Sequence, residues 1–237
     1  MVKNWVIPDI HGYAKTLRAL VEELIRPSRS DGLYFLGDYI DRGPDSKGVI
    51  DYIISLQEDE FNVKLLRGNH EDYLLRLYNK ERVPRHFLGL PVGNYLKKEW
   101  YKYGGKTTMG SFGLKNVDEL PEKYVNWLDS LEYYAEVDGY VLVHAGLNFE
   151  IEDPFSDTHA MMWVKDFQAD LSKIENRKVV HGHVPVSLDF INLVKESENF
   201  PFIDLDNGVY MDGKDGFGNL VALELSSLEL VIQNNVD

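Results

Sequence analysis

The chain has 237 residues, 39 acidic against 25 basic for a net charge of -14, and no cysteine. This length holds one large α/β domain or two small ones. With no Ser/Pro-rich or charge-block linker, a single domain over 1–237 is expected. The acidic balance argues against nucleic acid or an anionic membrane as a main partner, and the missing cysteines exclude disulfides, thiolate zinc sites and thiol nucleophiles.

In chain order, Trp5-Val6-Ile7 is a short apolar strand ending in Pro8-Asp9-Ile10-His11-Gly12. Leu17, Leu20, Val21, Leu24 and Ile25 then recur at helical spacing, and Pro27 closes that helix. Leu33 to Gly37 is a second buried strand, and it delivers Asp38-Tyr39-Ile40-Asp41-Arg42-Gly43. A second helix is predicted from Asp45 or Ser46, with Val49, Ile50, Ile53 and Ile54 on one side. Phe61 to Leu66 makes a third strand that leads into Gly68-Asn69-His70-Glu71, with a helix starting at about Glu71. Strand, helix, strand, helix, strand is the pattern of a parallel sheet with right-handed crossovers.

From about 79 to 130 the pattern becomes a helical excursion, with a helix at Tyr95 to Tyr103 and a short one at Pro121 to Leu128. Its Arg82, Arg85, His86, Phe87, Lys97, Lys98, Trp100 and Tyr101 read as a solvated cap, with a partner-reading surface as the alternative. Glu132 to Val137 and Tyr140 to Val143 flank Asp138-Gly139, a strong hairpin signal, and the second strand ends in His144-Ala145-Gly146. Lys178 to Val180 is a strand ending in His181-Gly182-His183. The remainder reads as strand and turn, with Phe202 to Leu205, Leu220 to Leu225 and Leu228 to Ile232 building a second sheet behind the first.

The polar residues carry the chemistry. Asp9, Asp38 and Asn69 each follow a successive strand, and the carboxyl ends of neighbouring parallel strands share one crevice. Five loops thus offer Asp9, His11, Asp38, Asn69, His144 and His183, a mixed oxygen and nitrogen donor set. If Asp38 bridges, the set divides over two divalent ions ~3.5–4 Å apart. With two carboxylates in it the site stays net positive, which attracts phosphate and lowers the pKa of a shared water. Any one of these residues alone could be a strand-end cap, a turn residue or a satisfied core histidine. Their placement together favours the site.

Asp-Ile-His-Gly at 9–12, Gly-Asp-Tyr-Ile-Asp-Arg-Gly at 37–43, Gly-Asn-His-Glu at 68–71, His-Ala-Gly at 144–146 and Gly-His-Val-Pro at 182–185 resemble the ordered motifs of the calcineurin-like metallophosphoesterases. They are most similar to the bacterial and phage serine/threonine phosphoprotein phosphatases, over nearly the whole chain. The lack of cysteine and of any long apolar stretch leads to the expectation of a cytoplasmic protein, and the resemblance implies a four-layer αββα sandwich with two stacked mixed sheets and an enzyme with two divalent ions, manganese first, iron or zinc as alternatives. Asp9, His11 and Asp38 would hold the first ion, and Asp38, Asn69, His144 and His183 the second. A metal-bridging hydroxide would attack in line, His70 held by Asp41 would protonate the leaving oxygen, and Arg42 with Asn69 would bind the phosphoryl group.

This chain departs from the family pattern in two places. Pro8 replaces the usual glycine before the first aspartate, and Lys165 stands where a second phosphate-binding arginine is expected, keeping the charge without the bidentate fork. His181 is expected to be a strand residue rather than a ligand, and His86 and His159 receive no role. Two rivals are a dinucleoside polyphosphate hydrolase similar to the symmetrical diadenosine tetraphosphatases and an inactive metal-binding scaffold. The diadenosine enzymes usually lack an acid at the position of Asp41 and end the third motif in aspartate, where this chain has Glu71.

Overall fold

The computed structural model describes residues 2–81, 86–87, 90–91 and 95–237, and among them the side chains outside 80–94. Strands β1 (Asn4–Ile7), β2 (Gly32–Phe35) and β3 (Asn62–Leu65) pair in parallel. The register aligns Ile7 with Phe35 and Phe35 with Leu65, so the three carboxyl ends open on one rim. Between them run α1 (Ala14–Arg18), which continues as π-helical turns over Ala19–Ile25, and α2 (Ser46–Glu58). The Asp45 carboxylate caps α2 by accepting the Gly48 N–H. Helix α3 (Asn69–Glu81) starts two residues before the predicted Glu71, which puts Asn69 and His70 in its first turn, facing the rim.

In the excursion, β4 (His86–Phe87) and β5 (Leu90–Pro91) form a two-stranded ribbon, followed by α4 (Tyr95–Lys102), α5 (Gly105–Phe112) and α6 (Glu122–Asp129). The glycines around α5 disguise it in the sequence. The partner-reading alternative for Arg82, Arg85, His86 and Phe87 rests on side chains outside the described residues.

A second sheet has the order β6 (Tyr134–Val137), β7 (Tyr140–Val143), β8 (Lys178–His181), β9 (Phe202–Asp204). The β6–β7 turn is the predicted Asp138-Gly139 hairpin, with φ of 50° and 83°. Strands β7, β8 and β9 are parallel, so the loops carrying His144 and His183 leave on the same side. Helix α7 (Thr158–Trp163) lies between β7 and β8.

The end of the chain corrects the sequence reading twice. Leu188–Glu196 is a helix, α8, with Ile191 and Val194 buried and the Ser187 hydroxyl accepting the Phe190 N–H at its start. Strands β10 (Asn219–Glu224) and β11 (Leu230–Asn234) do not join the second sheet; β10 adds antiparallel to the free edge of β1 and β11 antiparallel to β10, giving β11-β10-β1-β2-β3. Strict alternation lets β10 serve there. Leu220 and Ala222 pack with the helices, while Val221 and Leu223 face the second sheet.

The same alternation builds the layers. Trp5, Ile7, Leu33 and Phe35 pack beneath Leu17, Ile50, Ile53 and Leu77. Val6, Leu36, Leu223, Leu142, Val180 and Ile203 fill the space between the sheets, and Val141, Val143 and Val179 meet Met161 and Ile174 on the far side. This is the expected four-layer αββα sandwich. No helix of the described residues is long and apolar enough to cross a membrane.

Candidate metal centre and active site

Five of the predicted site residues sit in left-handed backbone: His11 (φ 50°), Asp38 (51°), Asp41 (72°), Arg42 (68°) and His183 (76°). Each such non-glycine residue costs about 1–3 kcal/mol and persists only where its surroundings over-determine it. For the Asp38 loop the restraint is Glu71. Its fully buried carboxylate accepts the N–H groups of Asp38 (2.9 Å), Tyr39 (2.8 Å) and Gly68 (3.0 Å). Sequence reasoning used Glu71 to compare families and missed this work. Gly68 and Gly182 give the two aspartates room, since a Cβ at either would collide with Asp38 Oδ1 or Asp9 Oδ2.

Part of the predicted donor set converges, although the grouping around His11 and Asp38 holds His70 where Asp9 was predicted. Nitrogen and oxygen atoms of Asp38, His144 and His183 lie within 4.8 Å of one another, as do those of His11, Asp38 and His70. Backbone carbonyls assign the tautomers. His144 Nδ1 donates to the Leu36 carbonyl (3.1 Å) and His11 Nδ1 to that of Ile40 (3.0 Å), which leaves both Nε2 atoms as acceptors turned inward. His144 Nε2 then lies 3.0 Å from Asn69 Oδ1 and 3.5 Å from Asp38 Oδ1, while His183 Nδ1 is 3.1 Å from the same Asn69 oxygen. So many lone pairs turned on one point fit a cation. Asp9 stands at the back of the group, its carboxylate accepting the His183 N–H and its Oδ1 4.0 Å from His144 Nδ1.

Electrostatics agree with a cation at this place. Burial, reinforced by the charge of Asp38, holds Asp9 well above the usual carboxylate range. Burial pushes Asp38 up to about 7, against the charge of His70 and with that of Glu71. Burial likewise lowers His11 and His144, and takes His183 down to about 4. Neutral imidazoles facing crowded carboxyls are what a divalent ion requires of its donors, and the ion would in turn relieve the repulsion between the acids.

His70 is governed differently. Burial pulls its pKa down, but Asp38, and the hydrogen bond and charge of Asp41, push it up to about 9. Its Nδ1 is 2.6 Å from Asp41 Oδ2. Asp41 has no exposed surface, and its carboxylate also accepts the Trp100 indole N–H (2.8 Å) and the Thr108 hydroxyl (2.6 Å). Trp100, counted by sequence among the solvated cap residues, is completely buried.

Part of this cluster opens on a cavity of about 330 Å³. On its polar side stand Asp38, Asn69, His70, His183, Arg42 and Lys165. The Arg42 guanidinium lies 4.1 Å from the Tyr210 ring centroid, and its buried Nε has no hydrogen-bond partner among the described residues. Lys165 is exposed on the rim just after α7. Tyr73, Tyr103 and Trp163 form an aromatic wall, with the Trp163 indole donating to Asp72 (3.2 Å). His181 stays in β8 between Phe167 and Phe202, as expected of a strand residue, and His159 stacks on Trp163.

The symmetrical bis(5'-nucleosyl)-tetraphosphatase of Cellvibrio japonicus is 26% identical over 148 residues, 61% of this chain and 45% of that protein. The chain spans less than half the length of the curated relatives it matches. Among solved structures, a proposed diadenosine tetraphosphatase superposes with a TM-score of 0.62 at 18% identity, covering 100% of this chain and 95% of that one. A protein serine/threonine phosphatase from Saccharomyces cerevisiae superposes at 0.61 with 17% identity, covering 100% and 81%. At such identities the superpositions speak for the fold. Residues 2–215 match the calcineurin-like phosphoesterase family model, and the chain belongs to that family.

Proposed function

We propose that this chain is a dimetal phosphomonoesterase acting on phosphoserine and phosphothreonine in proteins. Asp9, His11 and Asp38 would hold one divalent ion, and Asp38, Asn69, His144 and His183 the other; manganese leads, with iron or zinc as alternatives. When bound, the ions supply Lewis acidity and lower the pKa of a water. The chain's own groups do the rest. Arg42 and Lys165 bind the phosphoryl oxygens from the cavity's polar side, assisted by the Asn69 amide. His70 gives the proton on Nε2 to the leaving oxygen, while Asp41 keeps the ring oriented through Nδ1.

The observation that carries this reading is the 2.6 Å contact between His70 and a wholly buried Asp41. A serine alkoxide is a strong base and needs a proton as its bond to phosphorus breaks. A nucleotide leaving from a polyphosphate is already a stabilised anion and does not. An acid held this firmly therefore favours a phosphomonoester of an alcohol.

A second reading is a dinucleoside polyphosphate hydrolase. It is favoured by the names of the curated relatives and by the wall of Tyr73, Tyr103 and Trp163, on which a nucleobase could stack. Turnover of phosphoserine peptides and of diadenosine tetraphosphate by the manganese-loaded protein separates the two. A higher kcat/KM on the peptides is expected; a preference for the dinucleotide would overturn the first reading.

A further inference from the structure

We infer that Trp100 and Thr108 are positioning residues for the His70–Asp41 pair, so that the excursion helices α4 and α5 aim the acid rather than merely cover the cavity. This rests on the proposed phosphomonoesterase reading for its kinetic consequence, though not for its structural one.

The contacts are buried and specific. The Trp100 indole shares Asp41 Oδ2 with His70 Nδ1, at 2.8 and 2.6 Å, and the Thr108 hydroxyl takes Oδ1 at 2.6 Å. Together these hydrogen bonds set the plane of the carboxylate, and with it the direction of the lone pair that holds the imidazole. The same hydroxyl accepts the Asp41 N–H (2.9 Å), helped by Ser46 (3.0 Å to Asp41 N and 3.0 Å to Thr108 Oγ1), which holds the left-handed φ of 72° at Asp41. All of these residues are buried, so no water competes for the carboxylate.

The backbone of the excursion is shaped to permit this docking. At Gly104 (φ 107°) a Cβ would collide with the Arg42 backbone, and at Gly105 with the Trp100 indole. The glycine pair thus brings α4 and α5 onto the very loop that carries Asp41 and Arg42. A helical cap serving only to cover the cavity would not need its backbone pressed so closely to that loop.

Trp100→Phe removes one donor and keeps the ring packing, and Thr108→Val removes the hydroxyl at nearly constant volume. Each should lower kcat about 10-fold on phenyl phosphate, a poor leaving group, and less than 3-fold on p-nitrophenyl phosphate, whose leaving group needs little protonation, with KM unchanged. Thr108→Ser, which restores the hydroxyl, should recover most of the phenyl phosphate rate lost in Thr108→Val. Independently of turnover, the downfield proton resonance of His70 Nδ1–H in the metal-free protein should shift in both variants. Equal losses on the two esters with an unmoved resonance would overturn the inference. If the parent protein does not turn over phosphomonoesters at all, the functional reading fails, and the resonance alone decides the positioning role.

Discussion

The proposed metal side and the proposed acid side of the cavity share Asp38 but are restrained by different means. On the metal side, His11 and His144 are oriented by backbone carbonyls of Ile40 and Leu36, and the Asp38 loop by a carboxylate 33 residues away on the first turn of α3. On the acid side, Asp41 is held by side chains 59 and 67 residues away, on helices outside both sheets. The first set of restraints belongs to the sandwich itself and comes wherever its strands align. The second depends on how the excursion docks, so the proposed acid is the part a change in the excursion would detune while leaving the candidate metal donors in place.

The sharpest way to separate the two sides is His70→Asn. Turnover of phosphoserine peptides should fall about 10²–10⁴-fold, while elemental analysis finds the metal content of the parent protein. Metal loss alongside activity would place His70 among the ligands, with the His11–Asp38–His70 grouping as its site. Glu71→Gln attacks the other side. It turns an amide donor toward N–H groups that had an acceptor, and should destabilise the fold by about 1–3 kcal/mol and lower metal affinity about 10–100-fold. Denaturant melts and metal titration read the two effects.

A buried carboxylate outside both sides gives a control. Burial raises the pKa of Glu224, but the hydroxyls of Ser227 and Ser226 and the N–H groups of Ser227 and Asn4 outweigh it and hold it down to about 2. Its contribution is therefore complete above the ordinary glutamate pKa of 4.5 and is lost as pH falls through about 2. Glu224→Gln should lose up to about 3 kcal/mol at neutral pH and flatten the acid limb of a urea stability profile without changing metal content. The smallest effect is expected at the rim. Lys165→Arg restores a bidentate fork and should lower KM for phosphate esters about 2- to 5-fold with little change in kcat, by steady-state kinetics.

Much of the candidate site was legible because its residues follow short strands in loops of distinctive composition. Gly37-Asp38 and Gly68-Asn69 mark strand ends whatever packs around them, and parallel pairing in register then leaves the side chains little choice but one rim. Glu71 was visible as a motif residue, yet nothing local says that its carboxylate closes the Asp38 loop. Trp100 looked like surface because it stands among charged residues such as Lys97 and Lys98, and Gly104-Gly105 read only as breaks in an irregular stretch.

The sequence by itself determined the strand–helix alternation of the first half, the hairpin at Asp138-Gly139 and the placing of candidate donors just past strand ends, because hydrophobic period, turn chemistry and strand-end polarity are properties of a few adjacent residues. Only the tertiary structure decided that β10 and β11 complete the first sheet, and that Trp100 and Thr108 close on Asp41. An alternating strand satisfies either sheet, and a buried indole satisfies any acceptor it can reach. Such choices are made by the summed packing of the whole core.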